Sequence, residues 1–343
     1  SHTTLPPDQP PAVAEAAGAI VTAHGKGDED FLRALRGFEW RDEYQSRFER
    51  GEFSHWLELF NLFDEWFERH VRRHTFTLDW EDEKQAPEGP FPAATCLEVL
   101  RVSRAVLENC ASKHAYGSLD HLACLLAAQD PEVVRSTLQT LVTLSRRSFF
   151  QSTSRWHHGN AELYTRVFSM AQGWGGSDSL SSMRACIQQT DPSELGEPEP
   201  PGAPSYDLHF EFYRDEEAGE GKHHKGHQVI HLKASHPALS KGTNLEACER
   251  VTKDFGVPQK LRFALLNRLR IIRSLGTREG RQECVRMRLT AFHILFQSSP
   301  DHEDLPLLLG EPGLVQDLLD VLYNEGEGCE DLRNLAAKAL ASM

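Results

Sequence analysis

The sequence predicts an all-α protein, an armadillo- or HEAT-like α-solenoid with one inserted β-hairpin. Three observations lead there. Apolar residues recur at three- and four-residue steps in roughly ten successive stretches, strands never alternate with helices in βαβ fashion, and the period switches to two at one place, Leu208 to Leu232. Helix pairs recur at roughly the 40–47 residues usual in such repeats, without a strict residue signature. A compact irregular all-α domain is the structural alternative.

Five segments follow from the pattern: an N-terminal extension with short helices (1–36), a first helical solenoid segment (37–190), a Pro-rich acidic loop (191–206), a β-hairpin with a mobile tip (207–233) and a second helical solenoid segment (234–343). From Phe53 to Val71 the residues Trp56, Leu57, Phe60, Phe63 and Phe67 share one helical face, opposite Glu58, Asp64, Glu65 and Glu68. After Pro87 to Pro92 the period restarts at Cys96 and runs to Cys110. Ser118 is placed to cap a third helix through Ala128, and Asp130-Pro131 supplies an N-cap with proline at the first helical position of a fourth, to about Ser148. The next helix, Ala161 to Gln172, closes at Gly173, and a shorter one is expected from Ser179 to Gln188. Five prolines between Asp191 and Pro204 bar both a helix ladder and a packed face. Leu208, Phe210 and Phe212 then alternate with polar residues, and Val229, Ile230 and Leu232 form a second β-prone run, with Asp215 to Gly226 expected as a long loop between them. Helices resume over Asn244 to Phe255, Pro258 to Leu275, Arg278 to Gln297, Gly313 to Tyr323 and Glu330 to Ala341.

The 343 residues carry 51 acidic and 37 basic side chains, a net charge of -14 that disfavours general nucleic-acid binding. No window approaches the roughly 18 apolar residues that cross a bilayer, so no membrane association is expected. Seven scattered cysteines without a CxxC pair argue against a disulfide framework or zinc ribbon, and with the absence of an N-x-Ser/Thr acceptor suggest a cytoplasmic or nuclear setting.

His223, His224, His227 and His231 resemble a zinc set, but His227 and His231 on an extended strand lie about 13 Å apart, and Lys222 and Lys225 oppose a cation. A solvated loop is expected, with no metal and no cofactor. Gly173-Trp174-Gly175-Gly176 follows a helix and lacks a Lys-Ser/Thr, which makes it a helix end with Trp174 packed as an anchor rather than a phosphate loop. Glu216-Glu217 sit in a polar loop where nothing raises a carboxyl pKa, and no G-x-S-x-G or protease-like cysteine occurs. Cys96, Cys110 and Cys124 fall on or beside apolar faces, as buried small hydrophobes do. No catalytic residue is expected. One basic stretch opposes the overall charge: nine basic residues lie between Lys260 and Arg288, with only Glu279 and Glu283 against them. Arg270 and Arg273 share a helical face, as do Arg281 and Arg288, and these four are the candidate partner-binding residues, a ridge for an acidic peptide or neighbouring repeat. The competing expectation is internal pairing with the surplus Asp and Glu.

Several blocks carry a family resemblance. Gly37 to Trp40 with Gly51 to Asp64 (GEFSHWLELFNLFD), then Leu97 to Asn109, Ser118 to Asp130, Ala171 to Gly176 (AQGWGG), Leu208 to Tyr213 (LHFEFY), Gln228 to His231 and Leu261 to Arg270 resemble the amino-terminal region of the giant HECT-type ubiquitin ligases, the plant ubiquitin-protein ligase and Tom1/Huwe1-like group. The resemblance spans about Gly37 to the C-terminus. It implies an armadillo-like scaffold opening a long superhelical array, with the transferring cysteine in a HECT domain at the far carboxyl end; no cysteine of this chain matches that motif. The expected function is therefore a non-catalytic scaffold in protein ubiquitination. Its partners would be protein substrates and C-terminal parts of the same ligase, with a ubiquitin-conjugating enzyme engaged only through a HECT domain. The chain is expected to be either a fragment of a larger ligase or one lacking the catalytic end. A stand-alone armadillo-like adaptor and an enzyme with an unrecognised site are the alternatives.

Overall fold

The computed structural model describes residues 12–44, 53–74, 90–109, 116–146, 160–173, 175–178, 183–189, 206–218, 222–233, 242–298 and 330–342, with isolated positions at 236, 239, 308, 319, 321 and 323. In chain order the helices are α1 (Ala12–Lys26), α2 (Asp28–Gly37), α3 (Phe53–His74), α4 (Ala93–Asn109), α5 (Leu119–Leu125), α6 (Pro131–Ser145), α7 (Ala161–Gln172), α8 (Asn244–Phe255), α9 (Arg262–Ser274), α10 (Arg278–Ser298) and α11 (Glu330–Ser342). Strands β1 (Gly175–Asp178), β2 (Met183–Gln189), β3 (Tyr206–Ala218) and β4 (Lys222–Leu232) lie between α7 and α8. The result is a mostly α fold of solenoid type into which strands are inserted. These elements divide into two compact units, α1 to α6 and α7 to α11 with the sheet.

In the first unit, α1 packs on α2 and α3, α2 on α4, α3 on α5 and α4 on α6. The apolar stripe of α3 supplies its centre: Trp56, Phe63 and Phe67 are fully buried. Around Trp56 stand Phe38, Trp40 and Tyr44, with ring centroids 6.1, 5.6 and 5.9 Å away. Such offset and edge contacts add to the area that the rings bury. The cap expected at Asp130 is present, its carboxylate accepting from the Glu132 amide at 2.9 Å with Pro131 at the first helical position. Ser118 behaves otherwise: its hydroxyl makes no cap bond and donates to Asp64 on α3 at 2.7 Å, so this serine ties two helices together instead of closing one.

In the second unit, α10 packs on α7 and α11, α9 on α7, and α8 on α9. Gly173 ends α7 at φ 59°, a left-handed conformation that a side chain resists, and a Cβ there would stand 2.6 Å from Arg288 Cδ. Thr243 and Glu246 close α8 with a reciprocal capping box.

The sheet is antiparallel throughout, in the order β1-β2-β3-β4. The expected hairpin is its β3–β4 half. Two expectations are corrected. The helix placed over 179–188 is instead strand β2 where it is described, because Ile187, Ala185 and Met183 find register partners in Leu208, Phe210 and Phe212. The long loop placed at 215–226 is mostly paired strand, the ladder continuing through Asp215↔Lys225, Glu216↔His224 and Glu217↔His223 to Ala218↔Lys222. Leu208, Phe210, Phe212, Ile230 and Leu232 are buried, and α9 packs against β3 and β2. Alternation sends the odd-numbered residues to the other face. The expected Trp174 anchor, the Pro-rich segment at 191–204 and most of the helix over 313–323 lie outside the described residues.

Candidate interaction surfaces

Helices α9 and α10 carry the arginines that the sequence singles out, and the structure separates them. Arg288 is 1% exposed; its Nε donates to the Ala171 carbonyl at 3.1 Å. Arg268, not among the four candidates, is 0% exposed and donates to the Ser169 carbonyl at 3.0 Å and to Gln172 Oε1 at 3.3 Å. Asn267 adds a donor to Ser169 at 3.2 Å. All these acceptors belong to the last turn of α7, whose carbonyls lack intrahelical partners and carry the negative end of the helix dipole. Two guanidinium groups therefore complete that helix end from inside the unit.

The remaining candidates are placed differently from one another. Arg270 is half-buried, its guanidinium 5.9 Å from the centroid of the Phe263 ring, and burial pushes it down to about 10, still cationic at neutral pH. Buried Arg166 of α7 lies over the same ring at 5.0 Å and pairs with Glu162. Arg273 donates to Asn244 Oδ1 at 3.0 Å and to the Gly242 carbonyl, fixing the approach to α8. Arg281 is exposed, as are Lys260 and Arg278. The four candidates thus form no single exposed ridge: one is internal, two are tied down and one is free to solvent. Among the described residues, Arg268, Arg273 and Arg288 reach backbone carbonyls and side-chain amides, Arg270 lies by the Phe263 ring, and Arg166 and Arg286 pair with Glu162 and Glu283.

The second candidate surface is the odd-numbered face of β3 and β4. His209 and His231 are register partners whose rings stack with centroids 4.0 Å apart. His231 Nε2 lies 3.7 Å from Asp207 Oδ2, and His227 Nε2 lies 3.6 Å from Glu211 Oε2. Tyr213 and Val229 on this face are each 52% exposed, large apolar groups left open. The histidines expected in a solvated loop therefore stand in a strand, with His227 and His231 facing different carboxylates. Among the described residues no three potential ligands converge on a metal position.

Three thiols and a serine–acid–histidine cluster bear on covalent chemistry among the described residues. Burial pushes the Cys248 thiol up to about 12 and the Cys284 thiol up to about 11, and raises that of Cys96 beyond the usual thiol range. Cys248 Sγ also donates to the Arg262 carbonyl at 3.4 Å. A thiol transfers an acyl group as its thiolate, which these environments disfavour at neutral pH. Buried His121 has Nε2 at 3.5 Å from both Asp64 Oδ1 and Glu68 Oε2, while Ser118 donates to Asp64 directly. The serine is bonded to the acid, so the Asp64 carboxylate and not the His121 imidazole receives its proton in the hydrogen bond.

The chain matches a family model described as Domain of Unknown Function (DUF908) over residues 93–228, from the first residue of α4 into β4. It is 35% identical over 315 residues to E3 ubiquitin-protein ligase UPL1 of Arabidopsis thaliana, covering 90% of this chain and 8% of that protein. It is equally 35% identical to UPL2 of the same plant over 312 residues, again 90% and 8%. With E3 ubiquitin-protein ligase HUWE1 of Mus musculus the identity is 26% over 294 residues, 85% of this chain and 6% of the relative. The chain thus spans less than a tenth of the length of the curated relatives it matches.

Proposed function

The chain is a homologue of the N-terminal region of HECT-type E3 ubiquitin ligases over 90% of its length, and from that premise we propose that it is a non-catalytic helical scaffold in protein ubiquitination, holding protein substrates or other parts of the same ligase by contact. The observation that carries this reading is the continuity of the match across both helical units and the sheet. The thiol environments support it. A transthiolating cysteine needs an accessible thiolate, whereas Cys96 and Cys248 are buried and Cys284 is largely desolvated. A solenoid surface suits the role because stacked helices offer extended contact and a few anchors carry most of the affinity.

The test uses two measurements. Mixed with a ubiquitin-charged conjugating enzyme, the chain should form no reductant-sensitive ubiquitin adduct. Deleting the corresponding segment from a full-length relative should reduce substrate ubiquitination severalfold while leaving thioester formation on its catalytic cysteine intact. A ubiquitin thioester on any of the seven cysteines of this chain, or unchanged substrate modification after deletion, would overturn the proposal.

A further inference from the structure

We draw no further inference here: the strongest candidate, the outward face of strands β3 and β4 where Tyr213 and Val229 are each 52% exposed beside the stacked His209 and His231, is an unpartnered sheet face, and nothing in the structure shows what covers it.

Discussion

Arg101 in the first unit and Arg268 in the second do the same job in different surroundings. Arg101 of α4 closes the end of α2, donating to the Leu35 and Phe38 carbonyls at 2.6 and 3.1 Å, and pairs with Glu98 at 2.6 Å. Its side chain is 39% exposed, so water competes for every one of those bonds. Arg268 closes the end of α7 with no exposure at all. A guanidinium replacing water at a wet helix end gains little, whereas at a dry end it is the donor set without which carbonyls lose their partners. Burial, more than the bond list, sets what each arginine is worth.

The largest effect expected from that contrast is at Arg268. Arg268→Met keeps much of the volume but withdraws charged donors from Ser169 and Gln172, a loss of about 2–4 kcal/mol after relief of the buried charge is set against it. Urea unfolding combined with hydrogen exchange should show the loss in α7, α9 and α10 while the first unit keeps its protection. Arg101→Met should remove no more than about 1 kcal/mol, confined to α2 and α4. If the two substitutions destabilise their units equally, burial is not the deciding variable and the comparison fails.

The same contrast explains what the sequence made legible. Local signals were sufficient where the physics is local: the Asp130-Pro131 start, the Gly173 stop and the stripe of Phe53 to Val71 all appear where residues a turn apart dictate them. Leu208, Phe210 and Phe212 gave the hairpin because alternation is also local. Strand β2 was missed because seven residues, Met183–Gln189, fit either period, and only the distant partner β3 decides between them. The extent of the hairpin was missed for a related reason, since Asp215 to Glu217 and Lys222 to Lys225 are poor strand formers whose opposite charges fall in register. Among the arginines a usable signal existed: Phe263 to Ile272 is apolar on nearly every side, so Asn267 and Arg268 have no polar face to occupy. A charged residue in such a run must take an internal partner, which periodicity identifies without naming the carbonyls it meets. The open apolar pair Tyr213 and Val229 left no comparable trace, because alternation marks a face as outward but cannot say whether anything covers it.

The smallest effect sharpens the comparison from the acidic side. Glu249 on α8 has its carboxyl raised above the usual value, first by burial and then by Glu246, with Arg262 acting against both. A carboxyl whose folded pKa lies above its unfolded one binds protons more tightly in the folded state. Its contribution is therefore fully present below the ordinary carboxylate pKa and is lost as pH rises through the raised one. At neutral pH the ionised Glu249 is a mild liability, so Glu249→Gln should leave the second unit slightly more stable there, by less than about 1 kcal/mol given how much of the side chain remains in water. Near pH 4 the difference between the two chains should vanish, since both then present a neutral group. Paired melts at the two pH values cancel every other titration common to both chains. A variant less stable at pH 7 than the parent would mean that Arg262 outweighs burial at this position, and that partly wet charges in this unit are governed by their partners as Arg101 is in the other.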